Sequence, residues 1–364
     1  MNLEQIAEAL GGSVFGDATL EVDRAVHPAD AESDRDLALA MDAELLAKLS
    51  DTPALSAIVA EGASVPEGAV AGYVTVGRSR FAMAGITRVF DKPVHSERGI
   101  HPSAVVAPNA EIVADNVSVG ALSYVGPGAK LGPGTIIMPQ STVGAGAVLG
   151  EDCLIHPGAR IGERVILGDR VIVHQNASIG ADGFSFVTPE PGSVETAKAT
   201  GRVEATNVEI VRINSIGTVI LGSDTEIGAC TSIDRGTISA TRIGHGTKLD
   251  DLVMVGHNVV IGENCMICGQ VGIAGSCVIG DRVVLAGQVG VADHLKIGSD
   301  VVVGGGSGVA SNLADCEIYL GLPAIKKKQF VNQVLMLRRL ETMFNDIMKL
   351  KKKFRGIETP DKKG

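Results

Sequence analysis

Twelve consecutive positions spaced six residues apart, from Val113 through Val119, Val125 and Leu131 to Ile179, hold only Val, Leu or Ile. A second run of the same period extends from Ile243 through Leu249, Val255 and Ile261 to Val303. Four residues beyond the aliphatic position stands a small or slender side chain, as at Ser123, Ala129, Thr135, Ser141, Ala147, Cys153 and Ala159. The residue just after it is mostly glycine: Gly120, Gly126, Gly132, Gly144, Gly150, Gly162 and Gly168. Hexapeptide periodicity is a signature of the parallel β-helix. Each hexad supplies a short strand and a corner, and three hexads close one triangular coil whose aliphatic residues point inward. The small residue fills the tighter inner position, and glycine is expected to tolerate the backbone conformation demanded at the corner. One coil cannot bury its own interior, so coils must stack.

The expected fold class is mainly β: a parallel β-helix of hexapeptide repeats with a small N-terminal α/β domain and a C-terminal helical extension. Residues 1–98 lack the hexad. Asn2 to Leu10 reads as a short amphipathic helix ended by Gly11-Gly12. Ala43 to Leu49 reads as helix, and residues 57–60 and 73–76 as strands. The prism is assigned to residues 99–320, with a loop excursion at about 181–218 carrying Phe184, Phe186 and a Pro189-Glu190-Pro191-Gly192 turn. Leu221, Ile227 and Ile233 resume the repeat, and a slip falls at Ser239 to Arg242. Leu320 to Ala324 ends the prism. In residues 321–364, Val331, Val334, Leu337, Leu340, Phe344 and Ile347 recur at three- and four-residue steps, as in an amphipathic helix.

Aromatic residues make up 3% of the 364-residue chain and Trp is absent, which suits a narrow prism filled by Val, Ile and Thr. No apolar run is long enough to span a bilayer, and the N-terminus lacks a signal-peptide core, so a cytoplasmic location is expected. The net charge of −10 does not suggest nucleic-acid binding. From Ala324 to Gly364, however, twelve Lys and Arg face four Asp and Glu, which points to an acidic partner for the tail. Of six Cys, Cys153, Cys265 and Cys277 occupy small inner positions. Cys265-x-x-Cys268 follows the repeat register without a second pair, so reduced structural thiols, buried or partly buried, are expected.

The repeat turns sequence distance into position. His257 stands two residues past an inner position and should point outward. Gly275, one coil on, should lie beside it at about 4.8 Å, the inter-strand spacing. His294 falls two coils plus one residue beyond His257, on the same corner. Asp250 and Asp251 lie on a neighbouring corner, where a second subunit's histidines could meet them. An outward imidazole beside a glycine amide suits acyl transfer: the imidazole is a base matched to neutral pH, and the N–H can hold a thioester oxyanion. His156 and His174 are also one coil apart, without an accompanying carboxylate cluster, and no metal site is expected.

Ile233-Asp234-Arg235-Gly236-Thr237, Leu249-Asp250-Asp251 and Val255-Gly256-His257-Asn258-Val259-Val260-Ile261-Gly262 resemble the UDP-3-O-acylglucosamine N-acyltransferases, the LpxD family of lipid A synthesis. Ile179-Gly180-Ala181-Asp182-Gly183-Phe184 and Gly228-Ala229-Cys230-Thr231 resemble further signatures of that family. The resemblance implies a left-handed β-helix and transfer of a 3-hydroxyacyl group from acyl carrier protein to the 2-amine of UDP-3-O-acylglucosamine. It implies no cofactor beyond the carrier's phosphopantetheine. It further implies His257 as base, Gly275 as oxyanion donor, Asp250 as the carboxylate that orients the base, and His294 as a second active-site histidine touching substrate phosphate or holding charge. Asn258 and Asp251 are then substrate contacts, and Lys326, Lys327 and Lys328 contacts to the acidic carrier protein. A homotrimer with parallel axes is expected, as is proximity to the membrane surface through its lipid product. The family's N-terminal domain holds uracil between aromatic residues, whereas Leu37 to Leu46 here contains none. Alternatives are a related acyltransferase with another donor or a hydroxyl acceptor, a non-catalytic scaffold, and a carbonic anhydrase of the same architecture, whose His spacing matches poorly.

Overall fold

The computed structural model describes residues 1–92, 94, 96–112, 116–203, 209–321 and 324–355. Val113, Leu322, Pro323 and the tail beyond 355 lie outside the described residues. The chain forms two compact units, Met1–His95 and Ser96–Gly364.

In the first unit, helix α1 (Leu3–Leu10) opens on Asn2, whose side chain accepts the Gln5 N–H while the Gln5 side chain accepts the Asn2 N–H. These reciprocal bonds satisfy two amides that a helix start leaves unpaired. Gly11, in the left-handed region at φ 61°, ends the helix. Leu3, Ile6 and Ala7 fall on one helical face and are buried. They belong to the core on a five-stranded sheet ordered 13–16, 72–76, 56–60, 36–40, 24–26, parallel except for the first pair. Helix α2 (Ala43–Ala47) and α3 (Ser79–Val89) complete this α/β unit, and Lys48 to Asp51 forms a 3₁₀ turn rather than continuing α2.

The second unit is a parallel β-solenoid with three faces of 11, 10 and 9 strands. The regular strands are two residues long, the first facing out and the second in, so that Val125, Val143, Ile161 and Ile179 stack in register. Burying each such side chain is worth about 1.5–3 kcal/mol. The core contains no aromatic ring among its fully buried members. Small inner positions also serve hydrogen bonding: Ser141 Oγ donates to the His156 carbonyl one coil on, and Cys153, Cys265 and Cys277 direct Sγ at the corresponding carbonyls. Burial raises the pKa of these three thiols. Cys230 and Cys316 depart from the expectation of burial: both are exposed, on left-handed corner residues that point away from the prism.

The corner glycines have a different cause from the one expected. Gly126, Gly132, Gly144, Gly150, Gly162 and Gly168 all avoid positive φ. Instead, a Cβ on Gly144 would lie 2.6 Å from the Glu163 nitrogen, and one on Gly168 2.5 Å from the Ser223 nitrogen, in each case backbone of the next coil. The positive φ falls three residues after the inner aliphatic position, where Leu122, Gln140, Asp152, Arg164, Arg170 and Asn176 adopt it as well as Gly128 and Gly146.

Both interruptions of the repeat occur on the corner that follows the 10-stranded face. The first begins after the strand Ser178–Ala181, where Ser178 pairs with Ser232 across the whole excursion. It contains an antiparallel pair, Phe186–Val187 with Val211–Arg212, and helix α4 (Ser193–Thr200). The second begins after Ser232–Asp234 and lies earlier than expected, because Thr241 and Arg242 are already paired with Val219 and Ile220. The solenoid runs on to Ile318–Tyr319, and helix α5 (Lys327–Arg355) follows, exposing Phe330, Leu337, Leu340, Phe344 and Ile347.

The two glycine roles are separable. Gly144→Ala should cost about 1–3 kcal/mol in urea unfolding, because backbone atoms cannot yield to the new methyl. Gly128→Asn, at φ 65° with open space around it, should cost less than about 1 kcal/mol. Equal losses would contradict this assignment.

Candidate active site

His257 follows the strand Met254–Val255 and leaves the prism at the interrupted corner. Its ring is half-buried. A Cβ on Gly275, from the next coil, would lie 2.8 Å from both Cε1 and Nε2 of the ring; one on Gly183, from the excursion, would lie 2.7 Å from His257 Cβ. The imidazole therefore sits in a slot that only glycines leave open. Gly183 was not singled out as a contact in the sequence reading, because the excursion breaks the repeat arithmetic that located Gly275. Its N–H donates to the Ser215 hydroxyl at 3.1 Å, in a buried contact that ties the two ends of the excursion together.

Asn258 fixes the tautomer. Its Oδ1 accepts the Thr237 N–H at 3.0 Å, and its Nδ2 donates to Ser239 Oγ at 3.2 Å, which orients the amide. His257 Nδ1 lies 3.0 Å from that same Oδ1 and must carry the proton. Nε2 is left with its lone pair, on the Gly275 side. Both polar atoms of the Asn258 amide are thus engaged within the chain, in positioning the imidazole. The second interruption supplies Thr237 and Ser239, so the irregular residues hold the imidazole in place.

The Gly275 N–H finds no acceptor among the described residues. His294 N–H donates to the Gly275 carbonyl at 3.1 Å, which places His294 one coil beyond on the same corner. Its side chain is 74% exposed, with Nδ1 3.2 Å from Asp293 Oδ2. His294, Ser276 and Asn258 form one column of left-handed residues, at φ 61°, 61° and 62°. His257, Gly275 and His294 are thus brought together.

Asp250 and Asp251 stand on the preceding corner, where Asp251 Oδ1 accepts the Ala229 N–H at 2.6 Å and Asp250 Oδ1 accepts the Asp251 N–H at 2.8 Å. With His174, Glu226, Lys248 and Cys268 they line a cavity of about 320 Å³. His156 and His174 stack there at 4.9 Å and 12°. One carboxylate accompanies them, because the excursion returns Glu226 to within 2.9 Å of His174 Nε2. Burial, then the neighbouring His174, lowers the pKa of His156. Among the described residues no three His, Cys, Asp or Glu converge as a metal site would require.

A carboxylate given no role in the sequence reading interacts with His257 within one chain. Asp234 ends the strand paired with that of His257, in the register Ile233 to Val255. Burial pushes its carboxyl up to about 6, against a lowering by His257 and with a further rise from Asp182. In the N-terminal unit, Leu39, Met41, Asp42, Leu45, His27, Ser79, Arg80 and Met83 line a cavity of about 750 Å³. Lys326, Lys327 and Lys328 are exposed at the start of α5.

Two segments, residues 146–181 and 240–275, match the family described as bacterial transferase hexapeptide (six repeats). A UDP-3-O-acylglucosamine N-acyltransferase of Paracoccus denitrificans is 43% identical over 278 residues, 76% of this chain and 75% of that protein. The chain belongs to the UDP-3-O-acylglucosamine N-acyltransferase family. A relative of that name from Francisella tularensis, numbered 1, is 36% identical over 94% of this chain and 95% of its own length. Among solved structures, an Arabidopsis UDP-N-acetylglucosamine acyltransferase aligns at TM-score 0.51 and 26% identity, over 61% of this chain and 71% of that one. Acyltransferases thus share both the sequence and the solenoid.

Gly275→Ala and Gly183→Ala test the slot. Each should leave the melting temperature within about 5 °C and reduce acyl transfer at least ~100-fold, because the methyl displaces the His257 ring. Retained turnover in both variants would show that the ring position is not critical.

Proposed function

We propose that this protein transfers a 3-hydroxyacyl group from acyl carrier protein to the 2-amine of UDP-3-O-acylglucosamine, with His257 as general base. The observation that carries the reading is the lone pair of His257 Nε2 packed against Gly275, whose N–H has no acceptor among the described residues. A thioester carbonyl placed between them meets both requirements of the reaction. The amine nitrogen attacks the carbonyl carbon, and the oxygen takes up negative charge against the Gly275 N–H. His257 Nε2 accepts the amine proton. Collapse of the intermediate breaks the carbon–sulfur bond, and the thiolate leaves with the proton held by the imidazolium. No cofactor enters beyond the phosphopantetheine that carries the acyl group.

The remaining assignments follow from placement. His294, exposed one coil beyond Gly275, is suited to substrate phosphate. Asp250 and Asp251 are on a different corner from His257, so their contribution requires a second subunit. A homotrimer meets that requirement, and the apolar side chains exposed along α5 support association. The exposed Lys326, Lys327 and Lys328 suit an acidic carrier protein, since complementary charge speeds encounter. In the N-terminal cavity, Met41, Met83 and Leu39 offer apolar surface for uracil in place of aromatic rings, with Arg80 available to phosphate. The product's acyl chains would bring the enzyme close to a membrane surface, and a cytoplasmic location fits a carrier-protein donor. No described helix is long and apolar enough to cross a membrane.

The deciding assay combines purified protein, UDP-3-O-acylglucosamine and 3-hydroxyacyl carrier proteins of graded chain length. Transfer with at least one length is expected, and transfer with none would sink the reading. His257→Ala should lower kcat by about 10²–10⁴ with folding unchanged. Reversing all three lysines to Glu should raise KM for the carrier protein and weaken its salt dependence, leaving KM for the acceptor unchanged.

A further inference from the structure

Asp234 occupies a position that neighbouring coils fill with glycine or alanine. Gly126, Gly144 and Gly162 hold it on earlier coils, Ala181 lies opposite Asp234 across a register shift at Gly180, and Gly256 lies beside it on the next coil. A carboxylate at this crowded site is half-buried, and among the described residues no hydrogen bond or ion pair reaches it. Isolated carboxylates in such places raise the free energy of the folded state, so one that persists calls for a compensating role.

The adjacent cation does not neutralise it. Arg235 is engaged elsewhere: its Nε donates to the Gly180 carbonyl at 2.7 Å, and one terminal nitrogen lies 3.4 Å from the Glu163 carbonyl. The same guanidinium lies 3.8 Å from Asp182, and Arg212 is 3.7 Å from that carboxylate on its other oxygen. Asp182 therefore has two arginines and Asp234 has none. Around His257 the charged groups can be named by element. The strand before it brings Asp234. The excursion brings Asp182 with Arg212, and Arg235 bridges back to it. The following corner brings only Gly275 and Ser276, and Asp293 and His294 stand one coil further.

We infer that Asp234 is a positioning residue for acyl transfer, its uncompensated carboxylate stabilising the imidazolium formed when His257 of the same chain takes the amine proton. The inference rests on the acyl-transfer reading of this corner. Neutral His257 gains nothing from the carboxylate, whereas the protonated ring formed as the amine is attacked gains a Coulomb attraction in a partly dry site. The assignment also removes a difficulty: Asp250 can reach a base only across a subunit boundary, while Asp234 needs no partner.

The ionisation carries a sign. A carboxyl raised from 3.8 to about 6 in the folded chain binds a proton more readily there than when unfolded. Its contribution to stability is greatest in acid and is lost as pH rises through that interval, so the charge at neutral pH opposes folding. Asp234→Asn should therefore be at least as stable as the unsubstituted protein at pH 8, and yet slower.

The test follows the ring of His257 by NMR in substrate-free, histidine-labelled protein, its signals assigned by their loss in His257→Ala. In Asp234→Asn the titration midpoint of that ring should move to lower pH, and in Asp234→Glu it should return most of the way. The kcat of the Asn variant should fall about tenfold, the equivalent of one unit of proton affinity, with KM for both substrates unchanged. An unchanged midpoint in Asp234→Asn would overturn the inference. Should that variant not fold, Asp234→Ser, which also removes the charge, takes its place in the same titration, and an unchanged midpoint there would equally overturn the inference. Absence of turnover in the unsubstituted protein would instead strike the acyl-transfer reading and leave the titration result standing.

Discussion

The backbone contact between successive coils governs this structure. Coils stack through N–H to carbonyl bonds such as Gly132 to Leu149 at 2.9 Å and Gly144 to Ile161 at 2.8 Å. At that separation a corner has no room for a Cβ where one coil's turn crosses the next, and the side chain at the inner position can be no larger than aliphatic. Thus the frequent glycine after the inner residue and the missing aromatic rings follow from one distance. The left-handed residue three positions after the inner one is a separate matter of turn shape, which Leu122 or Arg164 can meet as well as glycine.

The site arises where that rule is broken. His257 stands in line with Gly275 and Asp293, and Asp234 fills a place where its neighbours are Ala181 and Gly256. These departures require extra backbone, and the two insertions supply it: Gly183 closes one side of the imidazole, and Thr237 and Ser239 hold the amide that orients it. The regular solenoid supplies rigid support, and the irregular corner supplies polarity and a half-buried setting in which a charge has long reach.

Much of this was legible before any coordinates. Hexad arithmetic located His257, Gly275 and His294 on one corner because an unbroken ladder converts count into position. It failed where the ladder is broken. Gly183 and Glu226 lie across the excursion from their partners, and no spacing rule links them to His257 and His174. Asp234 was passed over for a different reason: its motif was visible, but the absence of any partner for its carboxylate is a property of the fold alone. The N-terminal cavity shows the same limit, since a stretch without aromatic residues gave no hint that Met41 and Met83 would line one space.

The excursion leaves the solenoid through a single bulge at Gly180, and the ladder before it is intact: Ser178 pairs with Ser232 and Ile179 with Ile233. A corner of this kind therefore works as a port. Material added there changes what surrounds His257 while the inner residues of the three faces stay in register. Substrate preference in such a chain could be altered by exchanging one loop, with neither the scaffold nor the catalytic spacing being redesigned.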